Sequence, residues 1–369
     1  MKKIIYEAYL NEIANDQFGI LISNKKRSKY NNSFYFKNYK ITNFNTKKYL
    51  LFFSLSNFYK YIWLISTIYF TSQFFISMFF QYKKRNRLFE SIIFIDSKKS
   101  IYDIGLVTKD NALYLKKNLY SFSCCLSIYD KFKAYTTVYK VLLTILSAKK
   151  KLSKIEYNSL KLHIYDLYLL SLFSFILKRR SRVFYTNSHY DRWCYVASKL
   201  KNIKLRIVQH GFLTKEILFP FKFGEVNYLY IYENSFVDFF KYHYTKIHNT
   251  AIIKPNLELE TIQNDFKHTV FIISSMISVE LEKKIIDWLL RNTKYKVFVK
   301  LHPAYSYKET FSEYENQIEF IHYLVKADFI VTYNSFLGYE YNAMGEKVIW
   351  IEKYKNNLND LYKELESPK

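Results

Sequence analysis

Ala327-Asp328-Phe329-Ile330-Val331-Thr332-Tyr333-Asn334-Ser335, followed by Gly338-Tyr339-Glu340-Tyr341-Asn342-Ala343-Met344-Gly345-Glu346-Lys347-Val348-Ile349, is the stretch on which the fold turns. Phe329–Thr332 is a short apolar run rich in β-formers, as expected of a strand buried on both faces. Ser335 stands where a helix N-cap belongs. The residues beyond it read as a helix through about Ala343, stopped by Gly345. Val348–Ile351 then reads as the next strand. Strand, helix, strand in this order predicts parallel α/β layers.

The alternation continues outward. Towards the N-terminus, Lys296–Leu301 is a strand ending in His302-Pro303, preceded by a helix over 279–291 and a strand beginning Val270–Ile273. Tyr228–Tyr232 and Ala251–Lys254 are short strands. Earlier still, Lys204–Val208 runs into Gln209-His210-Gly211. Arg182–Thr186 is a strand, with Asn187 and Ser188 placed to cap a helix starting near His189. Helices are expected over 133–148 and 157–178, and a buried strand over 91–96. With 369 residues there is room for two domains. The boundary falls within 215–255, where Pro255 marks a linker, and is set at 220/221. Residues 1–50 are polar and aromatic and carry no assignable pattern.

Charge divides the chain. Residues 1–211 hold 37 Lys+Arg against 11 Asp+Glu, whereas 212–369 hold 19 against 21. Codon bias would act on both parts alike, so the split points to a basic N-terminal domain facing anionic lipid or glycan. No zinc spacing, RNA-binding signature or helix-turn-helix supports a nucleic-acid partner. Three cysteines without metal-ligand spacing read as small packed side chains of a cytoplasmic protein. Met1-Lys2-Lys3, followed by Glu7 and Glu12, is not a signal peptide. Residues 61–82 are uncharged and precede Lys83-Lys84-Arg85, but Ser, Thr and Gln dilute them. A spanning helix, an in-plane aromatic helix and a buried helix all remain open.

Ligands of open α/β sheets gather at the carboxyl ends of the strands. Four polar groups fall there: Asn187–Asp191, Gln209-His210-Gly211, His302-Pro303 and Asn334-Ser335. Asn334 and Ser335, between a strand and a helix N-terminus, suit phosphate. His302 can donate to the same oxygens, Lys300 shares its strand face, and Glu340 can accept from ribose hydroxyls. An inverting transfer also needs a base for the attacking hydroxyl. His210 is favoured, with Asp191 assisting it or positioning the acceptor, and Gln209 and Gly211 bind beside it. No metal and no cofactor are expected.

Lys300-Leu301-His302-Pro303 together with the stretch 327–349 resembles the donor half of bacterial surface-polysaccharide transferases. These include capsule-synthesis transferases, bacterial sialyltransferases and the glycerophosphotransferases of teichoic acid synthesis. The resemblance covers about 265–352. Val208–Phe212 and Asn187–Trp193 are similar to N-domain elements of the capsule-type enzymes. It implies the GT-B fold, two Rossmann-like domains facing a cleft. A C-terminal domain, 221–369, would bind a nucleotide-sugar donor. A basic N-terminal domain, 1–220, would bind a glycan or lipid-linked acceptor at an anionic inner membrane surface. There are departures. Ser335 is followed by Phe336 rather than a second serine, and the acidic-acidic-glycine base motif of sialyltransferases is absent. Gln209 stands where glycerophosphotransferases often carry tryptophan. A CDP-glycerol-type glycerophosphotransferase, a nucleotide-sugar epimerase and a noncatalytic nucleic-acid- or membrane-binding protein are the alternatives.

Overall fold

The structure is a computed structural model and describes residues 1–14, 59–80, 89–94, 98–108, 111–147, 164–211, 218–261, 268–275, 278–302 and 308–366. Pro303, Phe212, the basic run 83–85, residues 15–50, 95–96 and 157–163 lie outside them. The chain divides into two compact units between Ile252 and Ile253.

The first unit is built on a six-stranded parallel sheet. β1 (Ser91–Phe94) lies between β2 (Ala112–Leu115) and β3 (Val183–Thr186), and β4 (Lys204–Val208) pairs with β3. β5 (Phe223–Val226) and β7 (Tyr244–Ile247) form a separate parallel pair. β6 (Tyr228–Ile231) and β8 (Thr250–Ile252) complete the main sheet, giving the order β2-β1-β3-β4-β6-β8. This corrects the 220/221 boundary. Leu229 and Tyr230 are in register with Ile207 and Val208, so the segment through Ile252 belongs to the first unit. The charge division survives the correction: residues 1–252 hold 41 Lys+Arg against 15 Asp+Glu, and 253–369 hold 15 against 17.

An almost wholly buried helix, Ile164–Arg179, organises the packing of this unit. Phe173 on that helix meets Phe94, Phe184 and Trp193 with ring centroids 4.9–5.3 Å apart. Such aromatic pairs contribute about 0.5–1.5 kcal/mol each beyond their buried area. Helix Arg192–Lys199 approaches β5 so closely that a Cβ on Gly224 would stand 2.0 Å from the Ser198 carbonyl oxygen. Only glycine fits there.

The N-terminal residues that the sequence left unassigned begin with a helix over 2–14, buried along Ile5, Ala8, Tyr9 and Ile13. Its Glu12 accepts from the Arg192 main-chain N–H at 3.0 Å and from Arg192 Nη1 at 3.1 Å. Asn11 exchanges two hydrogen bonds with the backbone of Phe221.

Helix Tyr59–Phe79 runs antiparallel to Ile128–Ser147. Phe70 meets Tyr139, Phe74 stacks on Tyr135 at 4.1 Å, and Lys131 Nζ donates to the carbonyls of Ser77 and Phe80. Burial lowers the Lys131 pKa. The opposite faces are exposed and apolar, with Ile68, Phe75 and Phe79 on one helix and Tyr129, Phe132 and Leu143 on the other. No helix among the described residues is long and apolar enough to cross a membrane.

The second unit carries a five-stranded, all-parallel sheet. Its strands are β10 (Thr269–Ile273), β11 (Lys296–Lys300), β12 (Glu319–Phe320), β14 (Phe329–Thr332) and β15 (Val348–Trp350), in the order β12-β11-β10-β14-β15. β9 (Glu260–Thr261) and β13 (Val325–Lys326) form a small parallel pair. Phe271, Ile273, Phe298, Ile330 and Tyr341 share one core, as expected of strands covered on both faces. Both units are thus α/β with parallel sheets, and the predicted fold class holds for each.

Candidate active site

In the second unit the chain order reverses between β10 and β14, the place where open α/β sheets leave a crevice beyond their carboxyl ends. The end of β14 is pinned by Thr332, whose hydroxyl donates to the Ile273 carbonyl at 3.0 Å. Asn334 follows, exposed, and Ser335 adopts the extended N-cap conformation of helix Phe336–Met344. The Ser335 hydroxyl makes no capping hydrogen bond. The cap is therefore conformational, and the role read for Ser335 as a phosphate ligand does not compete with it.

The helix lies unusually close to the sheet because residue 338 is glycine. A Cβ there would meet Thr332 Cγ2 at 2.7 Å and the Trp350 ring at 3.0 Å. Gly345 closes the helix in the left-handed region, at φ 95°, with its N–H on the Asn342 carbonyl. Glu340 is buried in the second turn of the helix.

His302 and Asn334-Ser335 follow β11 and β14, the two neighbours of β10. Strand spacing puts these ends about 10 Å apart. His302 is solvent-accessible, yet partial desolvation lowers its pKa, which favours a neutral imidazole near pH 7. Lys300 differs from expectation. Its ammonium donates to the His322 carbonyl, and burial lowers its pKa, so the lysine braces the neighbouring loop.

The turn after β10 escaped the sequence reading. Glu282, on helix Val279–Asn292, is fully buried and accepts from the hydroxyls of Ser274 and Ser278 and from the Ser275 N–H. Burial pushes its pKa up to about 7. The available signal was Ser274-Ser275 at a strand end, with Ser278 opening a helix that carries an acid one turn in.

In the first unit the order reverses between β1 and β3. Beyond β4, Gln209 is buried. Its N–H donates to the Tyr230 carbonyl at 2.9 Å, and its side-chain oxygen accepts from the Tyr232 N–H. Gly211 sits at φ 98°, in the left-handed region that favours glycine. Gln209 and Gly211 thus hold the backbone on either side of His210, whose side chain is 42% exposed. His210 Nδ1 lies 3.1 Å from Oδ2 of Asp103, a carboxylate with no exposed surface. Asp103 belongs to helix Lys98–Gly105, which the sequence reading did not identify.

Asp191 is placed otherwise than expected. It caps helix Arg192–Lys199, accepting from the Cys194 N–H at 2.8 Å, and its second oxygen meets Lys117 Nζ at 3.2 Å. The helix therefore starts at Arg192 rather than near His189, and neither Asn187 nor Ser188 caps it. Both Asp191 oxygens are committed to structure, and the partner of His210 is Asp103. His189 is buried with Nδ1 3.2 Å from the Asn187 carbonyl. Desolvation, helped by His210 and His243, depresses its pKa to about 3, so it stays neutral.

No family model and no curated protein matches the chain. Among solved structures, one of the wall teichoic acid polymerase TagF with CDPG is similar at a TM-score of 0.38 and 12% identity, over 89% of this chain and 88% of that one.

No group of three or more His, Cys, Asp or Glu among the described residues is arranged to hold a metal. The three cysteines are free, Cys194 buried and Cys124 and Cys125 half-buried. Burial raises the Cys194 and Cys125 thiol pKa values, that of Cys125 to about 11. A thiol so raised is a poor nucleophile at neutral pH.

Proposed function

We propose that the chain is a glycosyltransferase that moves a sugar from a nucleotide-activated donor to a bacterial surface glycan or glycolipid. The second unit binds the donor and the first unit binds the acceptor. One observation carries the reading: Asn334, Ser335 and the N-terminus of helix Phe336–Met344 stand at the order reversal of a parallel sheet. That is where nucleotide phosphates meet main-chain N–H groups and the positive end of a helix. His302, at the end of β11, supplies a second hydrogen bond to the leaving phosphate.

The acceptor hydroxyl gives its proton to His210 while its oxygen bonds to the anomeric carbon of the donor. The bond from that carbon to the phosphate oxygen breaks, and the oxygen leaves with the electron pair. Glu340, buried on the same helix, is assigned to donor ribose, and Lys300 supports the loop that follows β12. The exposed apolar faces of helices Tyr59–Phe79 and Ile128–Ser147, on the strongly basic part of the chain, support docking to an anionic membrane surface.

Thermal unfolding with UDP, GDP, CMP and CDP tests the donor assignment. A nucleotide bound only by the folded state adds about 2.7 kcal/mol at a hundred times its Kd, and the preferred base stands out. A preference for CDP or CMP together with glycerophosphate transfer would favour the glycerophosphotransferase alternative. No response to any of the four would overturn the donor assignment.

A further inference from the structure

We infer that Asp103 is the positioning residue for His210, fixing the imidazole in the one tautomer that can take a proton from an acceptor hydroxyl. This rests on the reading of His210 as the base, and it assigns a function to a residue with no motif of its own. Asp103 comes from the helix that follows β1, and His210 from the turn that follows β4. β3 lies between those strands in the sheet. The two side chains therefore converge at the carboxyl end of the sheet, beside its order reversal.

The chemistry follows from the contact. It is a close charge pairing rather than an aligned hydrogen bond, with Nδ1 3.1 Å from Oδ2. A carboxylate accepts hydrogen bonds and donates none, so a proton is favoured on the ring nitrogen that faces it. In the neutral ring that is Nδ1, which makes Nε2 the nitrogen bearing the lone pair. When Nε2 takes the hydroxyl proton, the imidazolium that forms sits against the buried carboxylate and is stabilised by it. The burial asymmetry suits this division, with the carboxylate fully covered and the imidazole 42% exposed. Gln209 and the left-handed Gly211 keep the main chain in the conformation that presents the ring to Asp103. His189 is held neutral by burial, so it places no second positive charge beside the imidazolium.

The test reads the ring directly. Protein labelled with 15N-histidine is examined by NMR, and His210 is assigned by its loss in His210→Gln. The wild-type neutral ring is expected in the Nδ1–H form. Asp103→Asn, which can present an N–H to the ring, is expected to shift His210 towards the Nε2–H form. Its turnover should fall at least 100-fold while the nucleotide-induced melting shift stays unchanged. Asp103→Glu keeps the carboxylate and should keep the Nδ1–H signature. A wild-type ring in the Nε2–H form, or an unchanged ring in Asp103→Asn, overturns the inference. The ring is read without donor, so a failure of nucleotide binding in the other unit would be separately visible.

Discussion

The Ser275 N–H donates to the Glu282 carboxyl group across 2.9 Å, so the turn after β10 is occupied by an acid belonging to the protein itself. In parallel sheets with this strand order, the first strand–helix turn is a common seat for a nucleotide pyrophosphate. Here Glu282 occupies it. The turn after β14, on the other side of the order reversal, is the one to which we assign phosphate.

His302→Ala and Ser335→Ala should each lower transfer by 100- to 1000-fold, or about 2.7–4 kcal/mol in the barrier, as for loss of one preorganised donor. Each should also shrink the melting shift given by the preferred nucleotide. Near-native kcat and an unchanged shift in both variants would move the phosphate site elsewhere.

Nucleotide affinity should rise as pH falls through neutrality. Desolvation lowers the His302 pKa in the free protein, and a bound phosphate favours the protonated ring. Binding therefore takes up protons, by linkage up to tenfold in affinity per pH unit. Calorimetry at several pH values should give this slope for the wild type and a flatter one for His302→Ala. Equal slopes would remove His302 from the phosphate contacts.

Gly338→Ala should destabilise the second unit by about 1–3 kcal/mol, the usual cost of an added methyl group in a tight contact. The new Cβ would meet Thr332 and Trp350, and the helix must lift off β14 to clear them. Because Ser335 opens that helix, nucleotide binding should weaken as well. A urea midpoint and a Kd both equal to wild type would refute the close packing.

Stability should fall as pH rises from about 4.5 to about 7. Burial raises the Glu282 pKa to about 7, so the folded chain keeps a proton that the unfolded chain releases within that window. The loss is on the order of 3 kcal/mol, at 1.36 kcal/mol per pKa unit. The contribution is complete below the unfolded value and gone above the folded one. Urea midpoints of Glu282→Gln should lack this component, so the variant gains on wild type as pH increases. Parallel pH curves would contradict it.

Arg192→Ala should cost about 3–5 kcal/mol, the range for breaking a largely buried ion pair on one side. Glu12 would lose its guanidinium partner, and the helix over 2–14 would lose one of its polar anchors. Glu12→Gln keeps part of the hydrogen bonding and should cost less. Differential denaturation that ranks the two variants in the opposite order would displace this pair from its anchoring role.

How much of this was legible in the sequence depended on the distance over which the signal was written. Phe329–Thr332 and Lys204–Val208 read correctly because an apolar run, a polar exit and a helix-compatible segment are all local. Gly345 was read as a stop and closes its helix as one. Asp191 was ambiguous because a carboxylate before a helix serves equally as a cap or a base, and its structural contacts with Cys194 and Lys117 are not written locally in the sequence. Asp103 was invisible for another reason: it lies far from His210 in the chain and is joined to it only by the crossing of β3. Leu229 carried no mark that its strand extends the first sheet, so the boundary was set too early.

The contact of Glu12 with Arg192, and of Asn11 with Phe221, also bears on how the protein is made. A ribosome adding about 5–20 residues per second leaves the helix over 2–14 without its docking surface for roughly 9–36 s. Throughout that interval Ile5, Tyr9 and Ile13, which are buried in the folded chain, have no core to enter. The helix over 2–14 is therefore seated only after about 180 further residues have been added. Nascent-chain capture by a holdase chaperone should fade only once translation has passed the residues that make that seat.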